Sequence, residues 1–121
     1  MSNTFPAYSN ALWKWVAEPT FWANIYIAGD IEVAKQFCRE ECMNHGLCVT
    51  IEPTEYIYTG GQETGMRIGL INYPRFPSEP RRIIERAQIL AEGLLVKLCQ
   101  KSALIMTPVD TIWLDTGKKT S

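Results

Sequence analysis

The sequence has no surplus of charge of either sign: its formal net charge is −1 over 121 residues. A chain so balanced offers no general attraction to a polyanion, which argues against long DNA or RNA as a partner. No stretch approaches the ~20 apolar residues that span a bilayer. The start, Met-Ser-Asn-Thr-Phe-Pro-Ala-Tyr, lacks the basic-then-apolar pattern of a secretion signal. Both point to a cytoplasmic protein. Histidine occurs once, as His45, and closely paired Cys-x-x-Cys units are missing. Of the cluster Cys38, Cys42, His45 and Cys48, the first three positions share the inward face of a helix, so Cys38 and Cys42 read as core thiols rather than as part of a metal centre, His45 suits the helix end, and no cofactor is implied. Gly-x-Ser-x-Gly, His-Glu-x-x-His and nucleotide-loop glycine patterns are also lacking. Asp110, Glu52, Glu55 and Glu63 remain as isolated carboxylates, read as solvated. The expectation is a protein that binds without catalysing.

What is present is a composition of 46% hydrophobic and 21% charged residues, enough for one domain with a proper core. Residues 1–20 form a Trp-rich segment with Trp13 and Trp15, expected as a short helix capped by Ser9 and packed on the domain or on another subunit. Residues 21–115 form a single α/β domain, and 116–121 a flexible tail. Phe21 to Ala28 reads as a strand, and Asp30 caps a helix from Ile31 to Asn44 that Gly46 ends. Leu47, Val49 and Ile51 alternate with Cys48, Thr50 and Glu52, the period of a half-buried strand. Pro53 should mark an edge or a bulge and interrupt pairing before it resumes through Tyr56 to Tyr58. Met66 to Tyr73 is the next strand. Ser78 caps a long helix, Glu79 to Lys101, whose apolar residues repeat at three and four positions from Ile83 to Leu98. Arg81, Arg82 and Arg86 lie on its other faces. Leu104–Met106 and Thr111–Leu114 close the chain. The order β-α-β-β-α-β with a short extension predicts a two-layer sandwich, a largely antiparallel sheet with both helices on one face. Its uncovered face and the tryptophans suggest a homo-oligomer, a dimer or higher.

The candidate ligand surface is Tyr56 to Pro80. Gly60 and Gly61 make a bend that fits either a plain hairpin or a binding loop. Pro74 and Pro77 stiffen the chain around Arg75 and Phe76, a guanidinium and an aromatic ring suited to a nucleotide. Asn72 adds a carboxamide beside them.

The stretches Asn24-Ile25-Tyr26-Ile27-Ala28-Gly29-Asp30-Ile31, Gly46-Leu47-Cys48-Val49-Thr50, Tyr56-Ile57-Tyr58-Thr59-Gly60-Gly61, Gly69-Leu70-Ile71-Asn72-Tyr73-Pro74-Arg75-Phe76-Pro77 and Met106-Thr107-Pro108 resemble the first-described type of phage Thoeris anti-defence protein, over about residues 22 to 115. The resemblance implies a non-catalytic sponge for a cyclic ADP-ribose isomer, a cyclic nucleotide immune signal. Some members also hold cyclic oligonucleotides at separate sites of a larger homo-oligomer. In such a site Phe76 would stack adenine, Arg75 would meet phosphate, and Asn72 with the Gly60-Gly61 turn would meet ribose. Two rivals stand beside it: a small nucleotide-processing enzyme, and a module that binds a protein through its aromatic surface.

Overall fold

In the computed structural model, residues 12–117 and the backbone of Asn3–Thr4 are described. Two short strands, β1 (Asn3–Thr4) and β2 (Val16–Ala17), pair with each other. The domain follows as β3 (Trp22–Ala28), α1 (Ile31–His45), β4 (Thr50–Tyr58), β5 (Gly61–Ile71), α2 (Pro80–Lys97), β6 (Ser102–Met106) and β7 (Thr111–Asp115). The five long strands lie in the order β4-β5-β3-β6-β7, every neighbouring pair antiparallel. Each helix carries the chain past one intervening strand, from β3 over β5 to β4 and from β5 over β3 to β6. This is the split β-α-β arrangement, with β7 added at an edge.

The core lies between the sheet and the helices. Ala23, Ile25 and Ile27 of β3, Met66, Ile68 and Leu70 of β5, and Ala103 and Ile105 of β6 all face the helices and are buried. From α1 come Ala34 and Cys38. From α2 come Ile83, Ala87, Leu90, Ala91, Leu94 and Leu95, the three-and-four spacing that lines one helical face. The two-layer sandwich expected from the sequence is the fold observed.

Local chemistry explains where α1 begins and stops. Asp30 accepts a hydrogen bond from the Glu32 N–H at 2.8 Å, and Gly46 closes the helix in the left-handed region at φ 66°. Four local expectations are corrected. Residues 12–17 contain no helix, and Ser9, the expected cap, lies outside the described residues, as do 118–121 of the tail. Pro53 does mark an edge strand, as expected, but it does not interrupt β4: the ladder runs from Thr50 to Tyr58 without a break, because β4 has one side unpaired. Ser78 does not cap α2. Glu79 holds the N-cap position, with Pro80 in the first turn, while the Ser78 hydroxyl accepts from Arg86 Nη1 at 3.0 Å. Finally, α2 ends at Lys97 rather than Lys101, since Cys99 turns into the left-handed region at φ 56°. Among the described residues no helix is long and apolar enough to cross a membrane.

Candidate functional site

The residues expected from the sequence to share a site are not brought together within one copy of the chain. Gly60 and Gly61 sit at the tip of the β4–β5 hairpin, where Gly60 takes φ 87°. Asn72, Arg75 and Phe76 follow the other end of β5. The 11 residues of that strand separate the two groups by roughly 34 Å at ~3.4 Å per residue. Asn72 has structural partners: its Nδ2 donates to the Pro19 carbonyl at 2.8 Å and its Oδ1 accepts from the Ser78 N–H at 2.8 Å. Tyr73 to Phe76 form a tight turn closed by the Phe76 N–H on the Tyr73 carbonyl at 2.9 Å. The Arg75 guanidinium stacks on the Phe76 ring, 5.3 Å from its centroid, and that ring is 68% exposed.

The carboxylates singled out in the sequence have separate fates. Asp110 closes a turn with Thr107, whose hydroxyl donates to its Oδ1 at 3.0 Å. Glu52 pairs with Arg67 across β4 and β5 through Nε at 3.1 Å and through Nη2. Glu63 is held by the Tyr58 hydroxyl at 3.1 Å, a contact that raises the Tyr58 pKa because the carboxylate favours the protonated phenol. Among the described residues, no group of three or more His, Cys, Asp or Glu is placed to hold a metal. All four cysteines are free thiols, with Cys38 buried and Cys48 and Cys99 exposed.

The sheet face away from the helices gathers the aromatic side chains. Residues paired across antiparallel strands share a face. The register therefore lays Glu52, Arg67, Tyr26, Leu104 and Trp113 in one row across all five strands, with Tyr56 opposite Glu63 two rows along. A shallow cavity of about 610 Å³ lies over this end of the face. Tyr26, Tyr56 and Trp113 give it three rings, Glu63 a carboxylate, and the turn after α2, Cys99 to Ser102, lines it as well and adds one cationic residue, Lys101.

Packing fixes several of these groups. Gly65, between Ala28 and Thr54 in the register, lets the Tyr56 ring lie flat: a Cβ there would stand 2.8 Å from Tyr56 Cε2. The Tyr56 hydroxyl donates to the Met66 carbonyl at 2.7 Å, and burial raises its pKa, so it remains a neutral phenol. The Arg67 guanidinium lies between Glu52 and the Tyr26 hydroxyl, and both raise its pKa. Three ring faces beside a carboxylate form a surface for a cation that carries an aromatic group, through cation–π attraction, stacking and charge pairing.

Neither a family model nor a curated protein matches the sequence. The fold does match solved structures. A phage SAM lyase in its apo state superposes with a TM-score of 0.68 over 83% of this chain and 92% of that one, at 15% identity. A phage SAM lyase in complex with S-methyl-5′-thioadenosine gives 0.62 over 86% and 95%, at 14% identity. At such identities the likeness is one of fold. It nevertheless overturns three expectations. The solved neighbours are SAM lyases and not Thoeris anti-defence sponges; they are enzymes, against the expectation of binding without catalysis; and the nucleoside bound in one of them is S-methyl-5′-thioadenosine, not a cyclic ADP-ribose isomer or other cyclic nucleotide.

Sequence reasoning placed Tyr56 at the start of its candidate surface, read Glu63 as a solvated carboxylate, and passed over Tyr26 and Trp113 as site residues. Their signal was strand parity. Trp22, Asn24 and Tyr26 alternate against Ala23, Ile25 and Ile27, so aromatic residues occupy the side of β3 that the helices leave open.

Proposed function

We propose that this chain is a lyase that cleaves S-adenosylmethionine and releases S-methyl-5′-thioadenosine. The likeness of fold to a phage SAM lyase, over 83% of this chain and 92% of that one, carries the reading. The cavity supports it independently. S-adenosylmethionine presents an adenine, a sulfonium cation and an α-ammonium group, and the open face offers Tyr26, Tyr56 and Trp113 to the first two and Glu63 to the third.

Lyase chemistry fits these groups. Release of the thioether requires the bond between sulfur and the methionine Cγ to break without water. The substrate's own carboxylate can displace sulfur at Cγ and close a five-membered lactone. The new C–O bond takes its electron pair from the carboxylate, the broken S–C pair goes to sulfur, and the sulfonium becomes a neutral thioether. No proton is gained or lost, so the step needs neither acid nor base. It cancels a carboxylate against a sulfonium, and a site drier than water favours that loss of charge. The protein's part is to fold the methionine chain back on itself and shield it, a contribution of positioning. Glu63, oriented by Tyr58, holds the ammonium; the rings hold adenine and sulfonium. The substrate is a cytoplasmic metabolite, which suits the cytoplasmic setting expected from the sequence.

The test is to incubate the purified protein with S-adenosylmethionine and follow S-methyl-5′-thioadenosine and homoserine lactone by mass spectrometry. Both should appear in equal amounts, and Glu63→Gln should raise KM about tenfold, the worth of one charge-assisted hydrogen bond. Thioether formation no faster than in protein-free buffer would refute the proposal.

A further inference from the structure

A second recess lies in the helical layer, on the far side of the sheet from the aromatic cavity. It has a volume of about 270 Å³ and opens between the end of α1 and the first half of α2. Its floor is apolar, made by Leu47, Ile89 and Leu90. Ile89 is 61% exposed although it stands in this recess, so its apolar surface faces outward without a cover.

The rim carries charge in an uneven arrangement. Arg82 and Arg86 stand one helical turn apart on the same face of α2. Arg86 is fixed by the bond from its Nη1 to Ser78 Oγ, which leaves most of its donors open. The Arg82 guanidinium forms no hydrogen bond or ion pair among the described residues. Of the two acidic groups on the rim, Glu85 meets Arg81 at 3.5 Å, and Glu41 lies 3.9 Å from His45 Nε2, a charge pair only when that imidazole is protonated. Two guanidiniums with open donors above an apolar floor select an anion with an apolar body. The nearby Glu41 and Glu85 carboxylates repel a dianion more than a monoanion. The recess falls below the ~300–1,000 Å³ of sites for drug-sized ligands, so the ligand is small.

From these features we propose that the recess between α1 and α2 binds a medium-chain aliphatic monocarboxylate, its carboxylate between Arg82 and Arg86 and its chain on Leu47 and Ile89. The site is separate from the proposed lyase cavity and does not depend on it.

The experiment is an amide NMR titration of the intact protein with sodium octanoate, with 1-octanol and inorganic phosphate titrated separately. Octanoate should give saturable shifts confined to the end of α1, the following loop and residues 82–90. Arg82→Gln and Arg86→Gln should each weaken it about tenfold, with the rest of the spectrum unchanged. Octanol and phosphate should bind at least about tenfold more weakly than octanoate, each lacking one half of the recognised group. Shifts that do not saturate, shifts centred elsewhere, equal binding of octanol or phosphate, or full affinity in both folded variants would each overturn the assignment. S-methyl-5′-thioadenosine production should be the same in Arg82→Gln as in the parent, which keeps this outcome distinct from that of the lyase test.

Discussion

Gly93→Ala sets two opposing effects against each other at the contact between the helices. In the interior of α2 the substitution should favour the helix by about 1 kcal/mol, because glycine is the poorer helix former. In this fold the added methyl would collide with the Phe37 ring of α1: it would overlap Cζ and stand 3.0 Å from Cε2 and 3.2 Å from Cε1. The ring meets Gly93 end-on, so no small rotation about its own axis relieves the clash. Phe37 must swing outward, giving up part of its packing against the core. Overpacking of this kind costs about 1–3 kcal/mol, so against the helical gain the clash should leave a net loss of up to about 2 kcal/mol. At roughly 4 °C per kcal/mol for a chain of this size, Tm should fall by up to about 8 °C. The decisive assay is a double-mutant cycle by thermal or urea unfolding. In a Phe37→Ala background the obstacle is gone, and Gly93→Ala should then raise stability by about 1 kcal/mol. A higher Tm for Gly93→Ala in the parent, or the same fall in both backgrounds, would refute the reasoning.

Asn72→Ala should destabilise the fold by about 1–3 kcal/mol, because it removes the amide that joins Pro19 to Ser78 and leaves both backbone groups to find other partners; urea unfolding with an unchanged slope would check it, and a loss below about 0.5 kcal/mol would count against a structural role. Burial, with smaller contributions from Cys42 and Glu41, pushes the Cys38 thiol up to about 11 from 9.0. The unfolded chain thus sheds this proton first, so Cys38 should make stability fall as pH rises from 9.0 towards about 11. A Cys38→Ala variant should lose less stability over that window, and at pH 8 a thiol reagent should label Cys48 and Cys99 well before Cys38 in the parent.

The fold was legible wherever a local pattern and its tertiary use agree. Alternation in β3 and the three-and-four spacing of α2 each name a single buried face, and only a sheet covered on one side by two helices satisfies both. Asp30 and Gly46 were readable because capping is a contact between near neighbours. At Pro53 the edge was legible but the unbroken pairing was not, and Ser78 was misread, because both outcomes depend on distant chain. Pro53 is harmless because β4 pairs on one side only, and Ser78 is drawn away from the helix end by Arg86 and Asn72. For the candidate site, closeness in sequence was a poor guide. Tyr56 to Pro80 is one stretch of chain, yet a strand of 11 residues runs through it and carries its ends apart. Conversely, Tyr26, Glu63 and Trp113 come from three separate strands and meet only through the register.

The expectation of a non-catalytic protein came from a search for proton-transfer machinery: a triad, a metal motif, a carboxylate pair. Such a search detects reactions in which the protein must activate a nucleophile or protonate a leaving group. Intramolecular displacement at a sulfonium requires neither, since the nucleophile is already a carboxylate and the leaving group departs as a neutral thioether. The rate then depends on holding the carboxylate behind Cγ and on removing the water that stabilises both charges before they cancel. Ring faces and one carboxylate on the open side of a sheet can meet those requirements, and in sequence they look like ordinary strand residues. For this class of reaction the informative sequence signal is the parity of the aromatic positions: Tyr26 falls on the side that the buried residues of β3 turn away from, and Trp113 on the side away from the half-buried Ile112 and Leu114 of β7.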